Sequence, residues 1–212
     1  RTTSIWIAAG AAGLALIALT ATGVVDDGRQ HLFRDPIVAV EDTGLQELVV
    51  TTRVHPGGVI DTRLFLDGDL QLSSVDEHRY HEALVHPALV RGRLPENVLV
   101  LGGGDGLAAR EILRYPSVKS ITLVDLDAEM TRLFANHPLL TPLNHDSLNS
   151  PKLHVENADA FTWLESAAER LLRFDAVIID FPDPSNFSIG KLYSTEKKKK
   201  LRRVLYPDSV IT

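Results

Sequence analysis

Hydrophobic and polar residues follow three different patterns along this chain. From Ile5 to Val25 the residues are apolar or small and none is charged. After a polar segment of mixed charge, apolar runs separated by Gly-containing turns indicate antiparallel strands. From Asn97 onward, short apolar runs alternate with amphipathic stretches, which predicts strands that alternate with helices. Such an alternation is typical of a parallel sheet with helices on both faces.

The uncharged stretch at the start is long enough to cross a bilayer as a helix, for which ~20 residues are needed. Trp6 lies near one end, and Gly10 and Gly13 would let another helix pack closely. A secretory signal peptide and a buried helix of a soluble protein are the alternatives. We predict a transmembrane helix over residues 1–26, which attaches the protein to the cell membrane with the rest of the chain in the cytosol.

The remaining residues divide into three segments. We expect residues 27–44 to form a linker, residues 45–75 a small N-terminal β-hairpin unit, and residues 76–212 a Rossmann-like domain that is incomplete at its C-terminal end. Ser74 is expected to cap the first helix, with Glu77 in the capping-box position. The predicted strands are Leu45–Val54, Val59–Leu66, Asp69–Leu72, Asn97–Leu101, Ser120–Leu126, Leu153–Glu156, Ala176–Asp180 and Ser209–Thr212. The predicted helices are Asp76–Val90, Leu107–Leu113, Ala128–Phe134, Ala160–Leu171 and Leu192–Leu205.

The composition narrows the classes of function. The net charge is −6, so a nucleic acid is disfavoured as the main ligand. The chain has no cysteine, which excludes disulfides, thiolate metal sites and cysteine nucleophiles. The 8 histidines are scattered without the spacing of metal ligands, and we predict no metal site.

A glycine-rich loop between the first strand and helix of the Rossmann-like domain predicts a nucleoside site. The loop reads Gly102-Gly103-Gly104-Asp105-Gly106, and Asp125 ends the next strand, where an acid can accept hydrogen bonds from a ribose. A tight turn with an acid at a strand end is the purely structural alternative. Asp105 would repel a pyrophosphate but attract a sulfonium or ammonium group, so the loop favours an S-adenosyl ligand over a dinucleotide.

Acids also follow the two later strands of this domain. Asp159 could accept a hydrogen bond from an adenine amino group, or it could simply cap the helix that begins at Ala160. Asp180 and Asp183 flank a proline turn after the fourth strand. A diamine would use both acids, because one ammonium is bound as a cation while the other must lose its proton before it can act as a nucleophile.

These motifs together resemble the polyamine aminopropyltransferases, the spermidine synthase family. The resemblance runs from about Leu45 to Thr212 and rests on LDGDLQLSSVDEHRYHE, VLVLGGGDG, LVDLD, ADAF and IIDFPDP, in that order. With the preceding apolar segment, the chain resembles the bacterial membrane-attached branch. The resemblance implies a parallel sheet of the class I adenosylmethionine-methyltransferase type, which carries the catalytic site.

The resemblance also implies a reaction. Decarboxylated S-adenosylmethionine is the co-substrate, and its aminopropyl group passes to a diamine such as putrescine, which gives spermidine and methylthioadenosine. No cofactor is bound permanently, and a homodimer is left open. Asp180 is implied as the catalytic base. The implied donor-binding residues are Gln46, Gly102, Gly104, Asp105, Asp125, Asp159 and Ala160, and the implied diamine-binding residues are Gln71, Tyr80, His81 and Asp183.

Two departures and two alternatives accompany this interpretation. The family usually has Tyr where this chain has Leu45, and an aromatic, apolar helix start where this chain has the basic run Lys197–Lys200. An S-adenosylmethionine-dependent diamine N-methyltransferase would use the same fold and similar acids. A non-catalytic domain that binds a nucleoside or a polyamine is the alternative from another class of function.

Overall fold

The chain folds into two sheets, which a computed structural model describes over residues 28–91, 94–181 and 195–212. The first sheet is antiparallel, and its four strands lie in the order β1-β2-β3-β4. These strands are β1 (Ile37–Asp42), β2 (Glu47–Val54), β3 (Ile60–Leu66) and β4 (Asp69–Ser73). Helix α1 (Glu77–Leu89) follows the sheet and leads into the second half of the molecule.

The second sheet is parallel, and its five strands lie in the order β7-β6-β5-β8-β9. Its strands are β5 (Asn97–Gly102), β6 (Ser120–Asp125), β7 (Leu153–Asn157), β8 (Phe174–Asp180) and β9 (Leu205–Ile211). The helices that follow them are α2 (Leu107–Leu113), α3 (Ala128–Asn136), α4 (Ala160–Glu169) and α5 (Thr195–Arg203). The α/β fold with a parallel sheet and a small antiparallel sheet is therefore confirmed.

The central strand β5 shows why this sheet is parallel. Val98 and Val100 pack into a core shared with α1, α2, α3 and the antiparallel sheet. Leu99 and Leu101 point to the other face and pack against α4 and α5. An unbroken apolar run such as Val98–Leu101 suits a sheet covered on both faces, whereas a sheet with one face in water would need alternating polar residues.

Two local predictions before α1 are wrong. Residues 37–42 were expected within a linker, yet they form β1, because they pair with β2 over most of its length. Ser74 does not cap α1, since its hydroxyl accepts from the Thr62 amide instead. The helix begins after Asp76 without a side-chain cap, and the Glu77 carboxylate contacts other side chains.

The predicted location in the cell membrane is also wrong for the part of the chain that the structure describes. The longest helix there, Glu77–Leu89, has 13 residues, which is shorter than the ~20 that a span requires. Within residues 28–91, 94–181 and 195–212, no helix is long and apolar enough to cross a bilayer. The predicted transmembrane helix over residues 1–26 lies outside the described residues.

A buried carboxylate stabilises the antiparallel sheet. Asp61 on β3 is fully buried, and it accepts hydrogen bonds from the Ser73 hydroxyl at 2.6 Å and the Arg63 guanidinium at 2.7 Å. His55 Nε2 lies 3.3 Å from the same carboxylate. Burial alone would raise the pKa of Asp61, but these hydrogen bonds lower it below its usual value. The folded state therefore binds the proton of Asp61 less tightly than the unfolded chain does.

We expect Asp61→Asn to lower the free energy of unfolding by about 1.5–3 kcal/mol at pH 7, the range for hydrogen bonds to a charged group. The difference from the wild type should narrow below about pH 4, because the wild-type carboxylate then becomes protonated and loses its advantage. Urea unfolding at several pH values measures both effects. Asp69→Asn on β4 removes an exposed carboxylate and serves as the control. Equal destabilisation by both variants would contradict this account of Asp61.

Candidate active site

The carboxyl ends of β5, β6 and β8 meet where the strand order of the parallel sheet reverses, and the space between these ends is called the cleft below. The strand β5 has β6 on one side and β8 on the other, so the strand order changes direction at β5. Such a switch point is where open α/β sheets bind ligands. Gly102 at the end of β5 is the register partner of Asp180 at the end of β8, and Asp125 ends β6.

The glycine-rich loop is pressed between the ends of β8 and β6. Gly102 has a φ of +81°, and a Cβ at this residue would lie 2.1 Å from the Asp180 carbonyl oxygen. The amide of Gly103 donates to that same oxygen at 3.1 Å. A Cβ on Gly104 would lie 2.9 Å from the Asp125 carboxylate. Side chains at Gly102 and Gly104 would therefore push the two strand-end acids away from the loop.

The outer side of the loop is held by the segment before β7. The Asn144 side-chain amide donates to the Asp105 carbonyl oxygen at 2.8 Å, and the Ser147 hydroxyl donates to the Gly106 carbonyl oxygen at 2.6 Å. The Asp105 carboxylate accepts from the Leu107 amide at the start of α2. These contacts fix the loop on both sides, so Asp105 is held between the end of β5 and the start of α2.

Asp125 is held by the backbone on both of its oxygens. The Gly104 amide donates to Oδ2 at 2.9 Å and the Asp127 amide donates to Oδ1 at 2.8 Å. Burial raises the pKa of Asp125 to about 6, although these two hydrogen bonds act in the opposite direction. Each oxygen keeps acceptor capacity for a second donor. Asp127 caps α3 and also accepts a hydrogen bond from Gln46 Nε2 at 2.8 Å. Gln46 is therefore linked to Asp125 through Asp127.

Asp180 is the acid at the end of β8. Its side chain is 8% exposed, and the Tyr80 hydroxyl donates to Oδ1 at 3.0 Å. Its Oδ2 atom is buried and has no hydrogen-bond partner among the described residues. Burial and the charge of Asp105 raise the pKa of Asp180 to about 6, while His81 acts in the opposite direction. An acceptor that is buried and unpaired is costly, so this oxygen is available to a cationic or donating ligand.

His81 is the cation that faces these acids. Its Nε2 atom lies 3.9 Å from Asp180 Oδ2. One ring nitrogen of His81 and one carboxylate oxygen each of Asp105 and Asp180 all lie within 4.8 Å of one another. Burial alone would lower the pKa of His81, but its hydrogen bond to Glu77 and the charges of Asp105 and Asp180 raise it to about 9. Burial also raises the pKa of Asp105.

The structure gathers part of the predicted site. The residues brought together around the cleft are Gln46, Tyr80, His81, Gly102, Gly104, Asp105, Asp125 and Asp180. Asp159 caps α4 by accepting from the amide and hydroxyl of Thr162, as one of its two interpretations predicted. Ala160 is the buried first residue of α4, and Gln71 is exposed on β4. Asp183 lies outside the described residues.

Two charged residues of this region were missed as site residues. Glu77 is expected from the sequence only as a capping residue, yet its carboxylate is hydrogen-bonded to His81 Nδ1. Arg110 on α2 donates two hydrogen bonds to the same carboxylate. The spacing of Glu77 and His81 was the available signal, because residues four apart lie on one face of a helix. Arg110 could have been noted as a charge within the otherwise apolar start of α2.

Fold and geometry together define an α/β domain of the doubly wound type with an acid-lined cleft at its switch point. Residues 77–212 match the family model described as the spermine/spermidine synthase domain, which is more than half of the chain. The chain therefore belongs to the spermine/spermidine synthase family, and the resemblance expected from the motifs is confirmed.

Curated relatives and solved structures agree with this assignment. The chain is 53% identical to polyamine aminopropyltransferase 1 of Streptomyces coelicolor over 207 residues, 94% of this chain and 38% of that protein. It is 50% identical to the polyamine aminopropyltransferase of Leptospira interrogans, over 86% of this chain and 35% of that protein. The chain thus spans little more than a third of the length of these relatives.

One solved structure is similar in both sequence and fold. It is a crystal structure of spermidine synthase in complex with the transition-state analogue AdoDATO, with a TM-score of 0.70 and 25% identity. The similarity covers 82% of this chain and 56% of that one.

The raised pKa of Asp180 predicts that this acid destabilises the fold at neutral pH. Because its pKa in the folded state lies above the unfolded value of about 4, stability falls as the pH rises from about 4 to about 6 and then levels off. Asp180→Asn mimics the protonated acid, so it should be more stable than the wild type by about 2–3 kcal/mol at pH 8 and equally stable at pH 4. Urea unfolding at the two pH values measures this difference.

Asp208→Asn removes an exposed acid from β9 and is the control for the loss of one charge. We expect it to change the free energy of unfolding by less than about 0.5 kcal/mol at either pH. A variant at Asp180 that is less stable than the wild type at pH 8 would show that this carboxylate contributes to the fold, contrary to our interpretation.

Proposed function

We propose that the protein transfers an aminopropyl group from decarboxylated S-adenosylmethionine to a diamine such as putrescine. The observation that carries this proposal is the buried Oδ2 of Asp180, which has no hydrogen-bond partner among the described residues and lies beside Asp105 and 3.9 Å from His81 Nε2. A cleft with several buried carboxylates favours cationic ligands, and both substrates of this reaction are cations. Membership in the spermine/spermidine synthase family supports the same reaction class.

The transfer itself needs a neutral amine nitrogen. Its lone pair forms a bond to the propyl carbon attached to the sulfonium, the carbon–sulfur bond breaks, and its electron pair stays on sulfur. Methylthioadenosine leaves as a neutral thioether. A diamine ammonium has a pKa of about 10, like that of lysine, so a base must first take its proton. Asp180 is the proposed base, because it ends a strand and one of its oxygens accepts no hydrogen bond within the described part of the chain.

The remaining residues have proposed roles in binding the two substrates. Asp125 accepts hydrogen bonds from the ribose, for which its fixed backbone partners leave acceptor capacity. Asp105 attracts the ammonium of the donor. The other residues proposed for the donor are Gln46, Gly102, Gly104, Asp159 and Ala160. The residues proposed for the diamine are Gln71, Tyr80, His81 and Asp183.

The direct test incubates the purified protein with putrescine and either decarboxylated or intact S-adenosylmethionine, and identifies the products by mass spectrometry. Spermidine and methylthioadenosine in equal amounts are the expected result. A methylated diamine from intact S-adenosylmethionine would instead identify an N-methyltransferase. Binding of methylthioadenosine without any product would identify a non-catalytic domain.

We expect Asp180→Asn to lower kcat on the order of 10²-fold or more with a modest change in KM, because it removes the proton acceptor. Alkaline pH should partly restore the rate, since more of the amine is then neutral.

Asp183→Asn should mainly raise the KM for the diamine, because it removes an attraction felt in ground and transition states alike. Rates measured against diamine concentration at pH 7 and pH 9 separate the two roles, and identical patterns would contradict them.

Asp125→Asn should weaken the binding of methylthioadenosine by about 1.5–3 kcal/mol, because one hydrogen bond to a charged acceptor is lost. Isothermal titration calorimetry measures this change. Glu156→Gln is the control, since it removes one exposed negative charge from the adjacent strand β7. An unchanged affinity of Asp125→Asn would mean that the ribose binds elsewhere.

A further inference from the structure

Two buried charged side chains connect His81 to the neighbouring helix: Glu77 on α1 contacts His81, and Arg110 on α2 contacts Glu77. The Nδ1 atom of His81 lies 2.8 Å from Glu77 Oε2 and 2.9 Å from the Glu77 carbonyl oxygen. Both neighbours are acceptors, so Nδ1 carries a proton and Nε2 is the ring nitrogen that faces the cleft. The side chains of His81 and Glu77 are only 6% and 8% exposed, so water competes little with this contact.

Arg110 fixes Glu77 in turn. Its two terminal nitrogens donate to the two carboxylate oxygens at 2.7 and 3.1 Å, a bidentate pair that permits one orientation of the carboxylate. Arg110 also donates to the Leu143 carbonyl oxygen and to Glu111, so it has partners of its own when Glu77 is changed. Burial alone would raise the pKa of Glu77, but its hydrogen bonds to His81 and Arg110 lower it to about 2, so it stays ionised at every pH at which the protein would be assayed.

The groups that face His81 come from three elements. Glu77 and Tyr80 belong to its own helix, and the Tyr80 ring lies edge-on to the imidazole with 5.0 Å between the ring centres. Asp105 comes from the glycine-rich loop and Asp180 from the end of β8. Three of these four groups are acids, which is the environment that holds an imidazole in its cationic form.

We propose that Glu77 is a positioning residue that acts through His81: it turns Nε2 toward Asp180 and keeps the ring cationic, so that Asp180 stays ionised and can accept the proton of the diamine. This inference rests on the proposed function. Asp105 and Asp125 both oppose the ionisation of Asp180, and His81 opposes their effect. Without the charge on His81, a smaller fraction of Asp180 is ionised at neutral pH.

The wild-type protein provides the first test, which needs no catalysis. Two-dimensional ¹H–¹⁵N NMR of the histidine rings should show both nitrogens of His81 protonated at pH 7. Above its pKa the remaining proton should be on Nδ1, because Glu77 accepts from that atom. A neutral ring with its proton on Nε2 would overturn the proposal whatever the variants do.

The second test compares Glu77→Gln with Glu82→Gln. Glu82 lies on the same helix, but its side chain is 48% exposed and its ion pair with Arg114 spans 3.5 Å, so it is a control for loss of the same charge. In Glu77→Gln we expect the pKa of the His81 ring to fall by at least two units from about 9, so that much of the ring is neutral at pH 7. The acidic limb of kcat/KM should move upward in pH, so that the rate falls several-fold at pH 7 and approaches that of the wild type at pH 9. Both should be unchanged in Glu82→Gln.

A double variant separates positioning from a structural role. His81→Gln should produce the same shift of the acidic limb, and adding Glu77→Gln to it should shift the limb no further, since Glu77 acts through the ring. If Glu77→Gln lowers the rate equally at every pH, or adds a shift in the His81→Gln background, the proposal is wrong. If the NMR results hold but no spermidine is formed, the proposed function fails while the control of His81 by Glu77 stands.

Discussion

The carboxylates of Asp105, Asp125 and Asp180 repel one another, and hydrogen bonds from the surrounding residues keep them close together despite that repulsion. Water has limited access to them, so their charges act over a distance with little screening. The backbone amides of Gly104 and Asp127 hold Asp125, the Tyr80 hydroxyl holds Asp180, and His81 supplies a positive charge. Burying these acids so close together is costly, and burial raises the pKa of all three.

Much of this arrangement could be predicted from the sequence because it depends on local patterns. Apolar runs that alternate with helices indicated the parallel sheet, and acids after β6 and β8 indicated its functional edge. The glycine-rich loop was found for the same reason, since a loop that approaches two strand ends this closely tolerates no side chain at Gly102 or Gly104. These features depend on neighbours in the chain or on the fixed geometry of parallel strands.

Other features depend on partners that are far apart in the chain, and the sequence pattern could not reveal them. Residues 37–42 follow a polar, charged segment and were therefore expected in the linker, although Ile37–Val40 is an apolar run, and their pairing with β2 makes them a strand. Glu77 resembles a helix cap, but Arg110 offers its carboxylate a stronger partner from another helix. Asp159 illustrates the opposite case, because the capping of α4 was anticipated from the sequence and is observed. A sequence pattern therefore predicts a side chain's contact correctly when the partner is a near neighbour in the chain, and fails when the partner comes from another element.

The contact between Gln46 and Asp127 has a mechanical consequence. Gln46 precedes the first residue of β2, whereas Asp127 begins α3 and also donates its amide to Asp125. Two hydrogen bonds in series, from Gln46 to Asp127 and from Asp127 to Asp125, thus join the start of β2 to the end of β6. A rotation of one sheet against the other would strain this linkage and displace Asp125. The position of Asp125 therefore depends on how the antiparallel sheet packs, as well as on the Gly104 amide that holds its other oxygen.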